Sequence, residues 1–536
     1  MNRNALYSRP HIRNLLLLLG TVTAVYAVTL GYGFVWDDHA LVQARAVYRS
    51  FDLRAMFHAL GNGVEYLPLR DISYAIDYRL WGEHSPAGFH ASNLLLHLLV
   101  TCSVYAVSVE TFRQLYPAGQ PEMRRRSALL TTLLYALHPL QAQAVSFVTC
   151  RNVLLSGLFF YAACLLYLRS WRDDTRFSLP CYSGALLCCL LALMSKATVI
   201  VLPLLLCVIE WPRASGFGKK MARVVPFFLL ASVFYVLFRT VAFTSGIARE
   251  SIQLSWGEKV AVAGQIPWFY LRKLLMPVGF AAEYEDLFSR DCTDWLVVAA
   301  LGGLVALCLV AWKRRVAQPA LMFGLLWFLI TLLPVLNFFA TNPIVADRYA
   351  YLPGYGFCLM VGALIMRSGN RSKVTIYLPW LAVAVVALIT ARTVKMWQSD
   401  VTLWEANIKA APGASKGYTN LGWSYFHKKE YEQAFAVFRQ EQLLNPQSLN
   451  YDLARGYREF LNGNHQAAIR YFQLALEKKE GALYPLYLLA RSYLGIGDTE
   501  HAANTLRRIL QSSEIDFSGY RPKAQALLEQ LQREAK

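Results

Sequence analysis

Two adjacent carboxylates, Asp37 and Asp38, follow directly on an apolar run in Gly33-Phe34-Val35-Trp36-Asp37-Asp38-His39. Acidic side chains beside lipid are costly unless they pair, bind something or react. One of the two could take the proton of an acceptor hydroxyl as general base while its neighbour orients it or holds a cation. A structural reading competes: either carboxylate could cap a helix that begins near Ala40. A second polar cluster lies in Gly88–His97, where His90, Asn93 and His97 stand at i, i+3 and i+7 on one helical face. Such a stripe suits hydrogen bonding between helices. As zinc ligands the two histidines lack an acidic or thiolate partner on that face, so no metal site is expected there, and a divalent cation remains an open accessory only at the acidic pair. Glu283, Glu285 and Asp286, in a later loop, fit either an acceptor entrance or a solvated face.

The elements holding these groups must lie in a membrane. Hydrophobic residues make up 56% of the 536 and charged residues 16%, against about a quarter charged in soluble domains. Apolar runs fill 14–391, whereas 392–536 has a soluble composition. A span needs roughly 20 apolar residues. Runs near 14–33, 88–111, 127–144, 151–168, 179–195, 197–212, 224–243, 294–312, 318–339, 351–366 and 374–391 supply about eleven, or twelve if 260–275 also crosses. The first run is too long for a signal segment and reads as a retained span. The ten cysteines show neither metal spacing nor a disulfide framework; Cys150 and Cys292, near run ends, could pair.

The net charge of +18 belongs to this arrangement, and nucleic acid is not expected as a partner, because no basic face or binding motif accompanies it. Arg124–Arg126, Arg169, Arg172, Arg176, Arg213, Lys219, Lys220, Arg223, Lys313–Arg315, Arg367, Arg371 and Lys373 fall in alternate short loops, on the side of the basic N-terminus. That side should be the cytoplasm. The parity holds if 260–275, interrupted by Gln265, Pro267, Arg272 and Lys273, lies at the interface instead of crossing. The loop 34–87, with a short helix over Tyr74–Leu80, then lies outside, together with Lys196, 244–293, 340–350 and everything after 391.

The soluble segment repeats with a period of 34: Ala434, Ala468 and Ala502 recur at that interval, Phe438, Phe472 and Leu506 follow each by four, and Gly422, Gly456 and Ala490 precede each by twelve. Small residues that let paired helices approach, with a larger apolar residue filling the seam, mark the tetratricopeptide (TPR) repeat. Repeats are expected at 415–448, 449–482 and 483–516 with a capping helix near 520–534, so the chain divides into a membrane domain (1–391), a connector (392–414) and a TPR domain (415–536). The fold class is all-α: a polytopic bundle followed by a TPR α-solenoid. The solitary Asn-x-Ser/Thr sequon, Asn370-Arg371-Ser372, falls on the cytoplasmic side. With only three repeats, this points to a bacterial inner membrane with the TPR domain in the periplasm, the alternative being the ER membrane with a lumenal domain.

Phe34–Asp38, Pro68-Leu69, Gly88–His97, His138-Pro139 through Arg151, Ser195-Lys196, Ala346–Pro353 (ADRYAYLP) and Trp397–Trp404 (WQSDVTLW) occur in this order along nearly the whole chain. The chain thereby resembles the TMTC-type transmembrane and TPR protein O-mannosyltransferases and their bacterial relatives, which are similar to the GT-C glycosyltransferases. The resemblance implies a GT-C-type bundle that takes a sugar from a polyprenyl-phosphate donor, with a divalent cation left open as the accessory. It implies that Asp37 and Asp38 are catalytic, that Arg151, Lys196 and Arg348 hold the donor phosphate, and that His90, Asn93, His138 and Gln143 support the site. A leaving phosphate needs cations where its charge develops; the competing reading of each cation is a headgroup anchor, and Asp347 could pair with Arg348. Two positions depart from the family, which has Glu where this chain has Gln143 and Ala197. The sugar therefore stays unnamed. A protein Ser/Thr hydroxyl presented by the TPR groove is the expected acceptor. A lipid-linked or envelope glycan acceptor is one alternative, and a non-catalytic scaffold for envelope or pilus assembly is another.

Overall fold

The computed structural model describes residues 9–43, 46–58, 66–82, 85–171, 177–213, 215–244, 254–285, 287–338, 343–368, 373–514, 516 and 519–534. Among them the chain is helical, with a lone β-bridge between Trp171 and Phe177. Asp286 and the sequon at 370–372 lie outside the described residues. Two compact units emerge, Met1–Ala406 and Asn407–Lys536. Their boundary falls inside the helix Asp400–Ala410. The physical reason is that Trp397 and Trp404, both 1% exposed, are built into the first unit.

Within that unit, Pro68–Trp81, Pro86–Leu115, Pro121–Ala136 and Pro319–Leu332 each open on a proline in the first turn, where its missing N–H has no helical partner to lose. Among the described residues six helices are long and apolar enough to cross a membrane: Arg9–Gly31, Pro86–Leu115, Val148–Ser170, Phe217–Leu237, Trp295–Arg314 and Tyr377–Gln398. Shorter apolar helices accompany them at Leu179–Ser195, Ala197–Glu210, Pro319–Val335 and Pro353–Leu364. The expected span at 127–144 is broken. Its helix stops at Ala136, because the residue before a proline disfavours the α conformation, and His138-Pro139 instead begins a 3₁₀ turn and the short helix Ala142–Ser146.

Burial separates the apolar helices where hydropathy does not. Val148–Ser170 is 67% buried and central, whereas the more apolar Trp295–Arg314 is 11% buried and turns Leu296, Val298, Val305 and Leu309 outward. The ambiguous segment forms a regular helix, Trp256–Leu275, opened by a capping box between Ser255 and Glu258. Near its start the Gly257 carbonyl accepts from Cys292, just ahead of Trp295–Arg314, and near its end the Leu274 carbonyl meets His138. Between these points Trp268 donates to the Ala300 carbonyl and Gly264 lies against Leu301, so the helix packs beside Trp295–Arg314. Cys150 and Cys292 are free thiols.

In the second unit, helices pair as Ser415–His427 with Tyr431–Leu444, Asn450–Leu461 with His465–Lys478, and Leu483–Gly495 with Thr499–Gln511, followed by Tyr520–Glu534. Ala434, Ala468, Ala502, Phe438, Phe472 and Leu506 are all fully buried. A Cβ added at Gly422 would lie 2.5 Å from the Phe438 ring, and one at Gly456 2.7 Å from Phe472. The third repeat carries Ala490 and Leu506 at these positions, a methyl gained where a ring is lost. Gly456→Ala is thus expected to destabilise the second unit by about 1–3 kcal/mol through overpacking. Adding Phe472→Leu should recover most of that loss, read as a double-mutant cycle in denaturant titrations of the full chain.

Candidate active site

The acidic loop begins where the first span ends. Trp36 takes a left-handed backbone, φ +52°, which a bulky residue adopts only when its surroundings enforce it. Its indole stacks on Phe147 at 5.2 Å and meets Trp404 edge-on at 5.3 Å, and Phe147 in turn stacks on Trp397. Asp400 accepts the Trp36 N–H at 2.7 Å and contacts His39 Nε2 at 3.0 Å. The two carboxylates between these anchor points differ. Asp37 is half-buried, whereas Asp38 is fully buried. Asp38 accepts from the Thr149 N–H at 2.7 Å, the Thr149 hydroxyl at 2.6 Å and the Val35 N–H at 3.3 Å. These partners replace the helix-cap reading for Asp38, since Thr149 stands 111 residues away.

Burial pushes the Asp38 carboxyl from 3.8 up to about 7, outweighing the hydrogen bonds from Thr149 and Val35 that favour its ionised form. The folded state therefore holds this proton more tightly than the unfolded chain does. Its contribution to stability is complete below the ordinary value of 3.8 and is lost as pH rises to about 7, with no further change above. Asp38→Asn is expected to flatten that stretch of the thermal-midpoint profile in detergent; an unchanged slope would contradict the assignment.

Arg151 has a different environment from the one its resemblance suggests. It is 1% exposed, with Nη1 2.5 Å from Asp77, Nε donating to Asn93 at 2.8 Å and Nη2 donating to the Phe89 carbonyl at 2.9 Å. The Tyr74 ring covers it at 4.7 Å. Holding a phosphate would require these partners to be surrendered, which favours an internal strut over the donor ligand that the resemblance implies. Asn93 is part of the same strut and also donates to the Val145 and Phe147 carbonyls. His90 meets the Gly33 carbonyl at 3.2 Å and thus supports the start of the acidic loop. His97 uses both ring nitrogens, toward Tyr351 and the Ala136 carbonyl. His138 holds the Leu140 N–H and the Leu274 carbonyl, a turn-forming role apart from the acidic pair.

Arg348 and Lys196 flank one ring. Their charged groups lie 5.3 and 5.5 Å from the centroid of Tyr349. Gln143 accepts the Arg348 backbone N–H at 2.8 Å and so fixes the turn that carries the guanidinium. Asp347, which could have paired with its neighbour Arg348, accepts instead from Tyr284 at 2.8 Å, and burial pushes its carboxyl up to about 6 against the nearby Lys273. Glu283 and Glu285 flank this tyrosine and are half-buried. The charges of Arg348, Lys196, Asp38 and Asp37 all act on Cys150. Asp38 rests on Thr149 and the Arg348 turn rests on Gln143, so one segment, Gln143–Thr149, ties the acidic loop to the turn whose Tyr349 ring lies between Arg348 and Lys196. Among the described residues no group of three or more His, Cys, Asp or Glu is arranged to hold a metal ion.

Sequence reasoning did not single out Asp77, Thr149 or Asp400 as parts of this site. A signal for Asp77 existed: Arg70, Asp71, Tyr74, Asp77 and Tyr78 recur at helical spacing and form one buried face of Pro68–Trp81. Tyr74 donates to the Val148 carbonyl at 2.9 Å and Tyr78 to the Val42 carbonyl at 2.5 Å, so this helix fastens both neighbouring loops.

The tetratricopeptide repeat family matches residues 415–448. The chain is 24% identical to Protein O-mannosyl-transferase TMTC3 of Homo sapiens over 86% of its own length and 54% of that protein. It is 25% identical to Protein O-mannosyl-transferase TMTC4 of Homo sapiens, over 76% of the chain and 63% of the relative. Protein O-mannosyl-transferase F38B6.6 of Caenorhabditis elegans is 23% identical over 77% and 60%. The chain spans about half the length of the first of these relatives.

Proposed function

For a chain related along most of its length to the TMTC-type transmembrane and TPR proteins, we propose sugar transfer from a polyprenyl-phosphate donor to an extracytoplasmic hydroxyl, that of a protein serine or threonine. The observation that carries this reading is that one segment holds both charged groups, Thr149 on the acidic loop of Asp37 and Asp38 and Gln143 on the turn of Arg348, whose Tyr349 ring also meets Lys196. Asp37, the half-buried member, is the base that reaches the acceptor; Asp38, fully buried on Thr149, orients the loop. The acceptor hydroxyl gives its proton to Asp37 as its oxygen attacks the anomeric carbon. The bond from that carbon to the phosphate oxygen breaks, and the electron pair leaves with polyprenyl phosphate. Arg348 and Lys196 neutralise the charge that develops there. Gln143 serves through its amide oxygen, which accepts from the Arg348 backbone; a glutamate oxygen would do the same, so the departure from the family pattern keeps this turn. The TPR unit supports a protein acceptor, because stacked repeats present an extended surface to polypeptides. The loop charges support a cytoplasmic N-terminus and an extracytoplasmic TPR unit, and the solitary sequon with three repeats supports a bacterial inner membrane.

The test is transfer of labelled sugar from its polyprenyl phosphate to envelope proteins by the full chain in lipid vesicles. Arg348→Ala is expected to raise the donor KM roughly 10- to 100-fold, the scale of a lost charge-assisted contact. Lys395→Ala, an exposed cation in the last turn of the span Tyr377–Gln398, should leave it unchanged. Equal effects of the two substitutions would reduce Arg348 to an interface anchor.

A further inference from the structure

We infer that Asp400 is a positioning residue for the acidic pair, a clamp that sets where Asp37 points. The inference rests on the sugar-transfer reading for its kinetic consequence but not for its geometry. Asp400 binds the residues immediately before and after the pair. Oδ1 accepts the Trp36 N–H at 2.7 Å, and Oδ2 lies 3.0 Å from His39 Nε2. One carboxylate 361 residues along the chain thus spans the four-residue segment that contains both acids. The grip works on a strained backbone. Trp36 at φ +52° has a left-handed conformation that would relax without support. Its amide is fixed by Asp400, and its indole is wedged between Phe147 and Trp404. Asp400 and Trp404 are one helical turn apart at the start of Asp400–Ala410, so a single turn supplies both the polar and the aromatic hold. Ahead of it, the Gln398 carbonyl accepts the Gly33 N–H at 3.4 Å, where the loop begins. Relaxation of Trp36 would turn the next residue, Asp37, while Asp38 stayed fastened to Thr149. Placement of the base, not donor affinity, is what the clamp protects.

The test combines a structural readout with a kinetic one on the full chain in vesicles. In Asp400→Ala, amide hydrogen exchange of the peptide covering Gly33–His39 should accelerate at least about tenfold while the TPR helices keep their protection. The kcat should fall roughly 10- to 100-fold with donor KM unchanged, the cost of a misplaced group. Asp400→Asn keeps an oxygen for the Trp36 N–H and an amide able to donate to neutral His39, so it should restore both readouts to near wild type. Unchanged exchange in Asp400→Ala would overturn the clamp. Faster exchange with a wild-type kcat, while Asp37→Asn is inactive, would overturn its positioning role. A wild-type chain with no transfer in these vesicles would instead overturn the sugar-transfer reading, and exchange alone would then decide the clamp.

Discussion

Asp37→Asn is expected to lower sugar transfer by about 10²- to 10⁴-fold, the range lost with a general base, without lowering the amount of protein in the membrane. The amide keeps the shape of the side chain and loses its ability to take a proton, so the loss reads as chemistry rather than folding. Asp38→Asn should cost far less, on the order of tenfold. An amide oxygen can still accept the Thr149 N–H, and the Thr149 hydroxyl can rotate to accept from the new amide. The difference follows from burial: Asp38 is fully enclosed, whereas Asp37 is half-exposed and able to meet an acceptor. Initial rates in vesicles, normalised to protein amount, decide the matter. An inactive Asp38→Asn beside a fully active Asp37→Asn would reverse the two roles, and full activity of both would remove the pair from the mechanism.

Breaking the Arg151–Asp77 pair should have the largest effect on stability. Both side chains are nearly inaccessible, at 1% and 5% exposure, and removing one member of a buried pair leaves the other charge uncompensated, at about 3–5 kcal/mol. Arg151→Ala is therefore expected to lower membrane abundance and the thermal midpoint sharply. Arg151→Lys should not rescue it, because one ammonium cannot reach Asp77, Asn93 and the Phe89 carbonyl together. Replacing both Arg151 and Asp77 by leucine should recover part of the loss. Whatever Arg151→Ala protein survives should keep the wild-type donor KM. A raised KM in that folded fraction would return Arg151 to the donor phosphate.

These expectations separate residues that sequence reasoning treated alike. Arg151, Lys196 and Arg348 are all basic residues at span ends on one side, and the sequence offers no means of ranking them. Ranking depends on what surrounds each guanidinium or ammonium, namely an enclosed carboxylate for Arg151 and the shared Tyr349 ring for the other two. Asp400 was hidden for a related reason. Its motif, Trp397–Trp404, sits beyond the last span, where composition turns soluble and suggests a connector. Nothing local to that stretch reveals that its carboxylate closes onto Trp36 and His39.

The adjacent carboxylates at Asp37 and Asp38 were visible as candidates because ionisable groups beside lipid are rare and costly. The apolar runs and the period-34 pattern determined by themselves that a helical membrane bundle precedes TPR repeats. Both signals are local, set by the spacing of side chains along single helices or between paired ones. The tertiary structure alone decided which acid is enclosed, which cation meets a buried carboxylate, and that Trp256–Leu275 packs beside Trp295–Arg314. Each depends on desolvation or on contact between residues many turns apart, and neither quantity is carried by the order of residues within any one segment.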